Sequence, residues 1–235
     1  MVTFEVMTSN SNISLAVDAV LFAYRDKKLY TLVVKRKYEP FQNEWALPGG
    51  FVLEEENLQE AIIREVKEET NFSISYLEQL QTFGDIDRDP RGRVVSVAFF
   101  GLVKLPDDLP IASTDAAEAK WFELETLKEL PLAFDHNYIL KIAFSRLQGK
   151  LNYKPIGFDL LPSKFLFSDL EQLYITVLGM EIDRRNFRKK VLTYDLLIET
   201  DESVSIGRGR PAKLFRFNAK KYAELEKEGS YFQIF

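Results

Sequence analysis

Apolar residues recur along the chain in two rhythms. The run ISLAVDAVLF, Ile13 to Phe22, is apolar and partly β-branched, and Leu29 to Lys35 repeats that character beyond the turn-forming Arg25-Asp26-Lys27-Lys28. The pair predicts a strand hairpin. Trp45 begins a third strand beyond the loop Pro40–Glu44. Tyr76 to Phe83 and Val94 to Val103 predict a second hairpin around the charged, turn-rich GDIDRDPRGR of Gly84–Arg93. Lys120-Trp121-Phe122 is a further strand after the polar stretch Asp107–Ala119. The helical rhythm appears in the stretch ending at Phe72, where Ala61, Ile62 and Val66 share one side. It returns at Thr126–Glu129 and at Asn137–Leu147, the latter amphipathic through Ile139, Leu140, Ile142, Ala143 and Leu147. Residues 1–12 are polar and expected to fray.

A composition break at Gln148–Pro155 divides the chain into an expected first domain, 1–150, and a second, 151–235. Ser168-Asp169-Leu170-Glu171 has the form of a capping box opening a helix through Leu178, which Gly179 stops. Asp183 is the expected cap of a second helix, Arg184–Leu192, that buries Phe187 and Val191 and exposes Arg184, Arg185, Arg188, Lys189 and Lys190. Two strands, Leu196–Glu199 and Lys213–Phe217, flank a loop carrying Gly207-Arg208-Gly209-Arg210-Pro211. Helix, helix and hairpin with a basic tip describe a winged helix. Its second helix is expected in the major groove of double-stranded DNA, with Arg208 and Arg210 reaching a phosphate or the minor groove. The alternative is a small basic module that packs on the first domain without touching nucleic acid.

Charge sharpens that choice. Arg184 to Lys221 holds eleven Lys/Arg against four Asp/Glu, a local +7 in a chain of net −5, so the remainder carries −12. An uncompensated basic patch is costly unless a polyanion neutralises it. With 235 residues there is ample material for a core, and no run of about 18 apolar residues could span a bilayer. A cytoplasmic protein with no membrane partner is the expectation. The absence of cysteine excludes disulfides and thiolate chemistry, and the single histidine, His136, excludes a histidine-rich metal site.

Candidate chemistry centres on GFVLEEENLQEAIIREVKEETNF, Gly50 to Phe72. Glu65, Glu68 and Glu69 stand at i, i+3 and i+4 of the helix and share a face, where a hard divalent cation would relieve their repulsion. Mg²⁺ is the first candidate and Mn²⁺ the alternative. Gly49 and Gly50 allow a backbone carbonyl to turn toward that metal. Lys35-Arg36-Lys37 ends its strand near the cleft, either as a phosphate contact through Arg36 or as a solvated strand end. Arg88, Arg91 and Arg93 on the charged loop are placed to meet a pyrophosphate or sugar, or else are solvated loop charges.

Gly50, Glu56, Arg64, Glu65, Val66, Glu68, Glu69 and Phe72 resemble the Nudix box in type and spacing. Asn71 departs from it, standing where the family has a second glycine; as a left-handed helix cap it is the next most tolerant residue. The resemblance implies an α+β protein: a Nudix α/β/α sandwich with a mixed sheet, followed by the winged helix. With Phe134-Asp135-His136, Asp183–Lys190 and Gly209-Arg210-Pro211-Ala212, the chain looks like the bacterial Nudix-related transcriptional regulators. For that family the resemblance implies a homodimer whose first domain senses ADP-ribose or a sugar such as arabinose, and whose second binds operator DNA. It also implies a possible hydrolase, cleaving ADP-ribose to AMP and ribose 5-phosphate. Glu65, Glu68 and Glu69 would hold metal, Glu56 and Arg64 would support them, and a loop acid, Glu118 or Asp115, would assist the water.

Overall fold

The computed structural model describes residues 12–105, 119–205 and 211–228. The expectations for residues 1–11, for Asp115 and Glu118, and for Arg208 and Arg210 lie outside the described residues.

Strand β1, Ser14–Arg25, forms a hairpin with β2, Lys28–Lys35. Its turn residues Asp26 and Lys27 both have positive φ, the two-residue geometry whose twist suits a hairpin. β1 is the organising strand. It runs parallel to β6, Val94–Leu102, along its length, and its first half pairs antiparallel with β4, Gly49–Phe51. β3, Trp45–Ala46, and β7, Ala119–Glu123, pair with β2, while β5, Tyr76–Phe83, pairs with β6. The result is a seven-stranded mixed sheet.

Alternation along β1 separates two faces, because successive side chains of a strand point opposite ways. Val17, Ala19 and Leu21 pack with Ala61, Ile62 and Val66 of helix α1, Leu58–Thr70. Val20 and Phe22 join the other cluster, with Ile139, Leu140, Ala143 and Leu147 of α3, His136–Leu151, and Leu124 and Leu127 of the short α2, Leu124–Lys128. Helices therefore cover both sheet faces, as expected.

The chain continues through a 3₁₀ turn, Ile156–Leu160, into β8, Phe165–Leu166, α4, Phe167–Leu178, and α5, Arg184–Thr193. β9, Leu197–Val204, and β10, Ala212–Phe217, follow, then α6, Ala219–Lys227. β10 lies between β8 and β9 in a three-stranded sheet, completing the winged helix; β8 and α6 were not foreseen from the sequence. Gly179, at φ 67°, ends α4, and the Asp183 carboxylate accepts the Arg185 and Asn186 N–H groups to start α5.

The start of α4 corrects one expectation. The helix begins at Phe167, and the Asp169 carboxylate reaches back to the Leu166 N–H. Glu171 instead turns inward and accepts from Arg184. Ser168 thus sits inside the first turn, because the β8 pairing of Leu166 with Leu214 fixes where the extended chain must stop.

One apolar cluster runs from the sheet into the winged helix: Leu147 and Leu151 of α3 belong to the same core as Ile156, Phe158, Leu173, Tyr174 and Val177. Leu147 is 0% exposed, so Leu147→Ala should cost about 2–5 kcal/mol, the range for a buried leucine that leaves a cavity. Urea unfolding should show it as a lower midpoint of one transition; two separated transitions would show that the shared core does not couple the halves.

Candidate functional site

Both ends of α1 are fixed by its sequence. Asn57 accepts from the Gln59 and Glu60 N–H groups while Glu60 accepts from Asn57, and Asn71, at φ 57°, closes the helix with its N–H on the Lys67 carbonyl. The left-handed conformation expected of Asn71 is thus present.

Between those caps the acids meet β4. A Cβ on Gly50 would lie 2.3 Å from a Glu65 carboxylate oxygen, and one on Gly49 would lie 2.2 Å from the Val17 carbonyl. Backbone approach requires glycine at Gly49, whereas a side chain at Gly50 would displace the Glu65 carboxylate. The Gly49 N–H donates to Glu69 Oε2 at 3.0 Å. Arg64 donates to Glu56 through Nε and Nη2, to Glu65 through Nη1 at 2.8 Å, and to the Phe51 carbonyl. Glu56 is also an acceptor for the Leu53 N–H, and with Arg64 beside it its carboxyl is held down to about 2.

Burial, with the anions Glu65 and Asp18 nearby, pushes the Glu69 carboxyl up to about 7, against the opposing pull of the Gly49 amide. The three helix acids do not all converge as expected. Glu65 and Glu69 turn toward β4, whereas the Glu68 side chain is 62% exposed and approaches Arg64 at 3.4 Å. Among the described residues no group of three His, Cys, Asp or Glu side chains is arranged to hold a metal ion. Arg64 and the Gly49 amide each satisfy one carboxylate separately. The donors are all oxygens, which suits a hard cation, but their present arrangement is that of an arginine-compensated acid pair.

Beside the acids lies a cleft in two lobes that share Arg36, Leu47 and Gly49. One, of about 300 Å³, is lined by Lys35, Lys37, Glu68 and Glu69. The other, of about 150 Å³, is lined by Asp18, Phe51, Arg91 and Phe134. The guanidinium groups of Arg36 and Arg91 lie over the Phe134 ring at 4.6 and 5.5 Å from its centroid, and Arg91 also lies over Phe51 at 5.2 Å. Burial and then the charge of Arg91 lower the proton affinity of Arg36. Two cations beside one ring suit an anionic, planar-bearing ligand.

Two further loop arginines are engaged by the protein itself, Arg88 while lining the smaller lobe. Arg88 is 4% exposed, donating twice to Asp135, at 2.7 and 3.0 Å, and to Asp18 at 3.4 Å. Arg93 donates to the Gly84 and Asp85 carbonyls and closes its own loop. These bonds hold both side chains in place and leave the buried carboxylates and loop carbonyls paired. Asp18 and Phe134, to which the sequence alone assigned no site role, also line the cleft. Asp18 accepts from Ser96 and Arg88, and His136 Nε2 stands 3.5 Å from it. His136 Nδ1 accepts the Leu47 N–H, and burial lowers the ring's proton affinity, which keeps it neutral. The available signal for Asp18 was a lone acid within an apolar strand. A larger cavity, of about 580 Å³, lies between the β1–β2 turn and α4, but it gathers neither the acid pair nor the stacked arginines.

On the winged helix, Arg185, Arg188, Lys189 and Lys190 are exposed on α5. Arg188 stacks on Phe167 at 4.5 Å, and Arg184 bonds Glu171.

The fold and site define a sensor-like Nudix unit joined to a basic winged helix. Residues 13–141 match the NUDIX domain, and residues 157–217 match the NrtR DNA-binding winged helix domain. The chain belongs to the Nudix family, in the branch that carries this winged helix. It is 35% identical over 211 residues to the ADPR responsive transcriptional repressor NtrR of Acinetobacter baylyi, covering 88% of this chain and 83% of that one. The Shewanella oneidensis NrtR structure complexed with a 27mer DNA aligns with TM-score 0.81 and 36% identity, over 89% of this chain and 95% of that one. The NUDIX domain of that NrtR complexed with ADP ribose aligns with TM-score 0.51 and 40% identity, over 57% of this chain and 88% of that one.

The Glu56–Arg64 pair has a pH signature. The Glu56 carboxyl is depressed from 4.5 to about 2 on folding, so its stabilisation is fully present above pH 4.5 and is lost as pH falls toward about 2. Melting temperature measured across that window should fall less steeply for Glu56→Gln than for the parent protein, and parallel curves would contradict the pairing.

Proposed function

We propose that this chain is an ADP-ribose-responsive transcriptional repressor, with a sensor unit over residues 1–150 and a DNA-binding unit over 151–235. The observation that carries the reading is the exposed basic face of α5 on a winged helix, joined to a cleft where Arg36 and Arg91 share the Phe134 ring. Arg185, Arg188, Lys189 and Lys190 contact DNA, with Arg208 and Arg210 of the wing and Arg184 at the edge of the contact. ADP-ribose is preferred over a free pentose because a diphosphate matches two neighbouring guanidinium groups, and because the similar Shewanella protein domain was solved with ADP ribose. The protein acts in the cytoplasm as a homodimer on two operator half-sites, the arrangement that suits a helix-turn-helix reader.

A second activity, hydrolysis of ADP-ribose to AMP and ribose 5-phosphate, is favoured by the retention of every box acid: Glu56, Glu65, Glu68 and Glu69. Nudix homologues generally use a divalent metal; here Mg²⁺, or Mn²⁺, would be held by Glu65, Glu68, Glu69 and the Gly49 carbonyl. Such a cation supplies charge neutralisation at the pyrophosphate and a more acidic water. Arg64 and Glu56 hold Glu65 in place, and Glu118 assists from its loop.

Titration of the gene's own upstream DNA should show specific binding that ADP-ribose changes and arabinose does not. Changing Arg185 and Lys189 together to Ala should lower affinity and reduce the log–log salt slope by roughly 2, at about 0.9 for each phosphate that is no longer neutralised. Absence of sequence preference in the parent protein would remove the regulator reading. Incubation with Mg²⁺ and ADP-ribose should release AMP in the parent and not in Glu69→Gln; no release by the parent leaves the acids a binding site alone.

A further inference from the structure

The effector cleft and the DNA-binding unit share one helix. α3 begins at His136, directly after Phe134 and Asp135, and Phe134 and His136 are walls of the cleft. Asp135 is held by two nitrogens of Arg88, whose guanidinium also reaches Asp18, and Arg88 and Asp18 both line the cleft. Sixteen residues later the helix ends at Leu151, about 24 Å away at 1.5 Å per residue. There its side chains enter the core of the winged helix: Leu147 and Leu151 pack with Leu173, Tyr174 and Val177, and Gln148 Nε2 donates to the Val177 carbonyl at 2.9 Å. α4, which carries those partners, in turn anchors the first residue of α5, since Glu171 accepts from Arg184.

We infer that α3 is the lever that carries effector occupancy to the DNA-reading helix, and that the Arg88–Asp135 pair is the positioning contact that fixes its cleft end. The inference rests on the cleft being the effector site. The chain of contact is continuous and rigid at each link. A ligand seated between Arg36 and Arg91 bears on Phe134, which stands at positive φ, 56°, one residue before Asp135. A non-glycine residue in that conformation is strained, so the backbone there has an alternative it would prefer. The bidentate grip of Arg88 on Asp135 opposes any such relaxation. A displacement at the first turn cannot be absorbed within the helix, because its buried face is packed along its length against β1, β6 and α4. Asp135, which does not line the cleft, acts through α3 rather than on the ligand.

The test uses the full-length protein, ADP-ribose and operator DNA, with Asp135→Asn at the cleft end and Gln148→Ala at the far end. Neither residue lines the cleft or lies on α5. In the parent, ADP-ribose should raise the melting temperature and change operator affinity by about 5-fold or more, the lower end of ordinary allosteric coupling. It should also alter amide exchange at residues 173–178 of α4. Both variants should keep the ADP-ribose thermal shift and ligand-free operator binding, while the ADP-ribose effect on operator affinity drops below about 2-fold and the exchange change at α4 disappears. A purely structural role would lower stability but leave that ratio intact, and coupling unchanged in either variant overturns the inference. If Asp135→Asn fails to fold, Gln148→Ala decides alone. A parent that binds ADP-ribose without altering exchange in α4 overturns the lever but not the effector cleft, whereas no thermal shift with ADP-ribose removes the cleft reading and the lever with it.

Discussion

Asp18 is a carboxylate placed in the interior of a nearly all-apolar strand, and the arrangement around the cleft answers to it. A buried anion without partners is prohibitively costly, and one that is well paired fixes the geometry of its partners. Asp18 draws the hydroxyl of Ser96 from β6, the guanidinium of Arg88 from the charged loop, and the ring of His136 from α3. Arg88 then requires a second anion, which Asp135 supplies. His136, kept neutral, spends its other nitrogen on the Leu47 amide just before β4. One acid thus pins the strand, loop and helix that wall the cleft, and it stands beside Gly49, whose amide holds Glu69.

The acid pair next to it follows a different logic. Glu65 accepts from Arg64, a permanently charged partner, while Glu69 accepts from a backbone amide and its carboxyl is pushed up to about 7. Glu68, out in solvent, is free of that constraint.

Much of this was legible in the sequence. Strand and helix positions followed from periodicity, since nearly every strand buries at least one face and α1 buries a single stripe. The left-handed cap at Asn71 and the Asp183 cap followed from side-chain chemistry. What periodicity could not reach was pairing across long separations. Nothing local to Arg88 says that it belongs to Asp135, 47 positions away, and an arginine in a polar loop looks solvated until its partners are known. The start of α4 was misjudged for a similar reason: Ser168 offers a cap, but a non-local strand pairing, Leu166 with Leu214, puts the cap two residues earlier, at Leu166. Short elements such as β8 leave no periodic trace.

The same non-local packing bears on how two functions share one chain. A regulator built from independent domains on a flexible linker would bind effector and DNA without either event affecting the other, since a ligand shifts an equilibrium only through differential contact with its states. Here the apolar core passes without interruption from Val20 and Phe22 through Leu147 to Tyr174 and Phe187. Phe187 is the buried anchor of α5, so the helix that presents the basic residues is seated on the core that α3 helps to build. Close-packed interiors transmit small displacements as changes of packing rather than absorbing them. The sharp separation of charge, acidic in the sensor and basic in the reader, then leaves that core as the physical link through which one surface can influence the other.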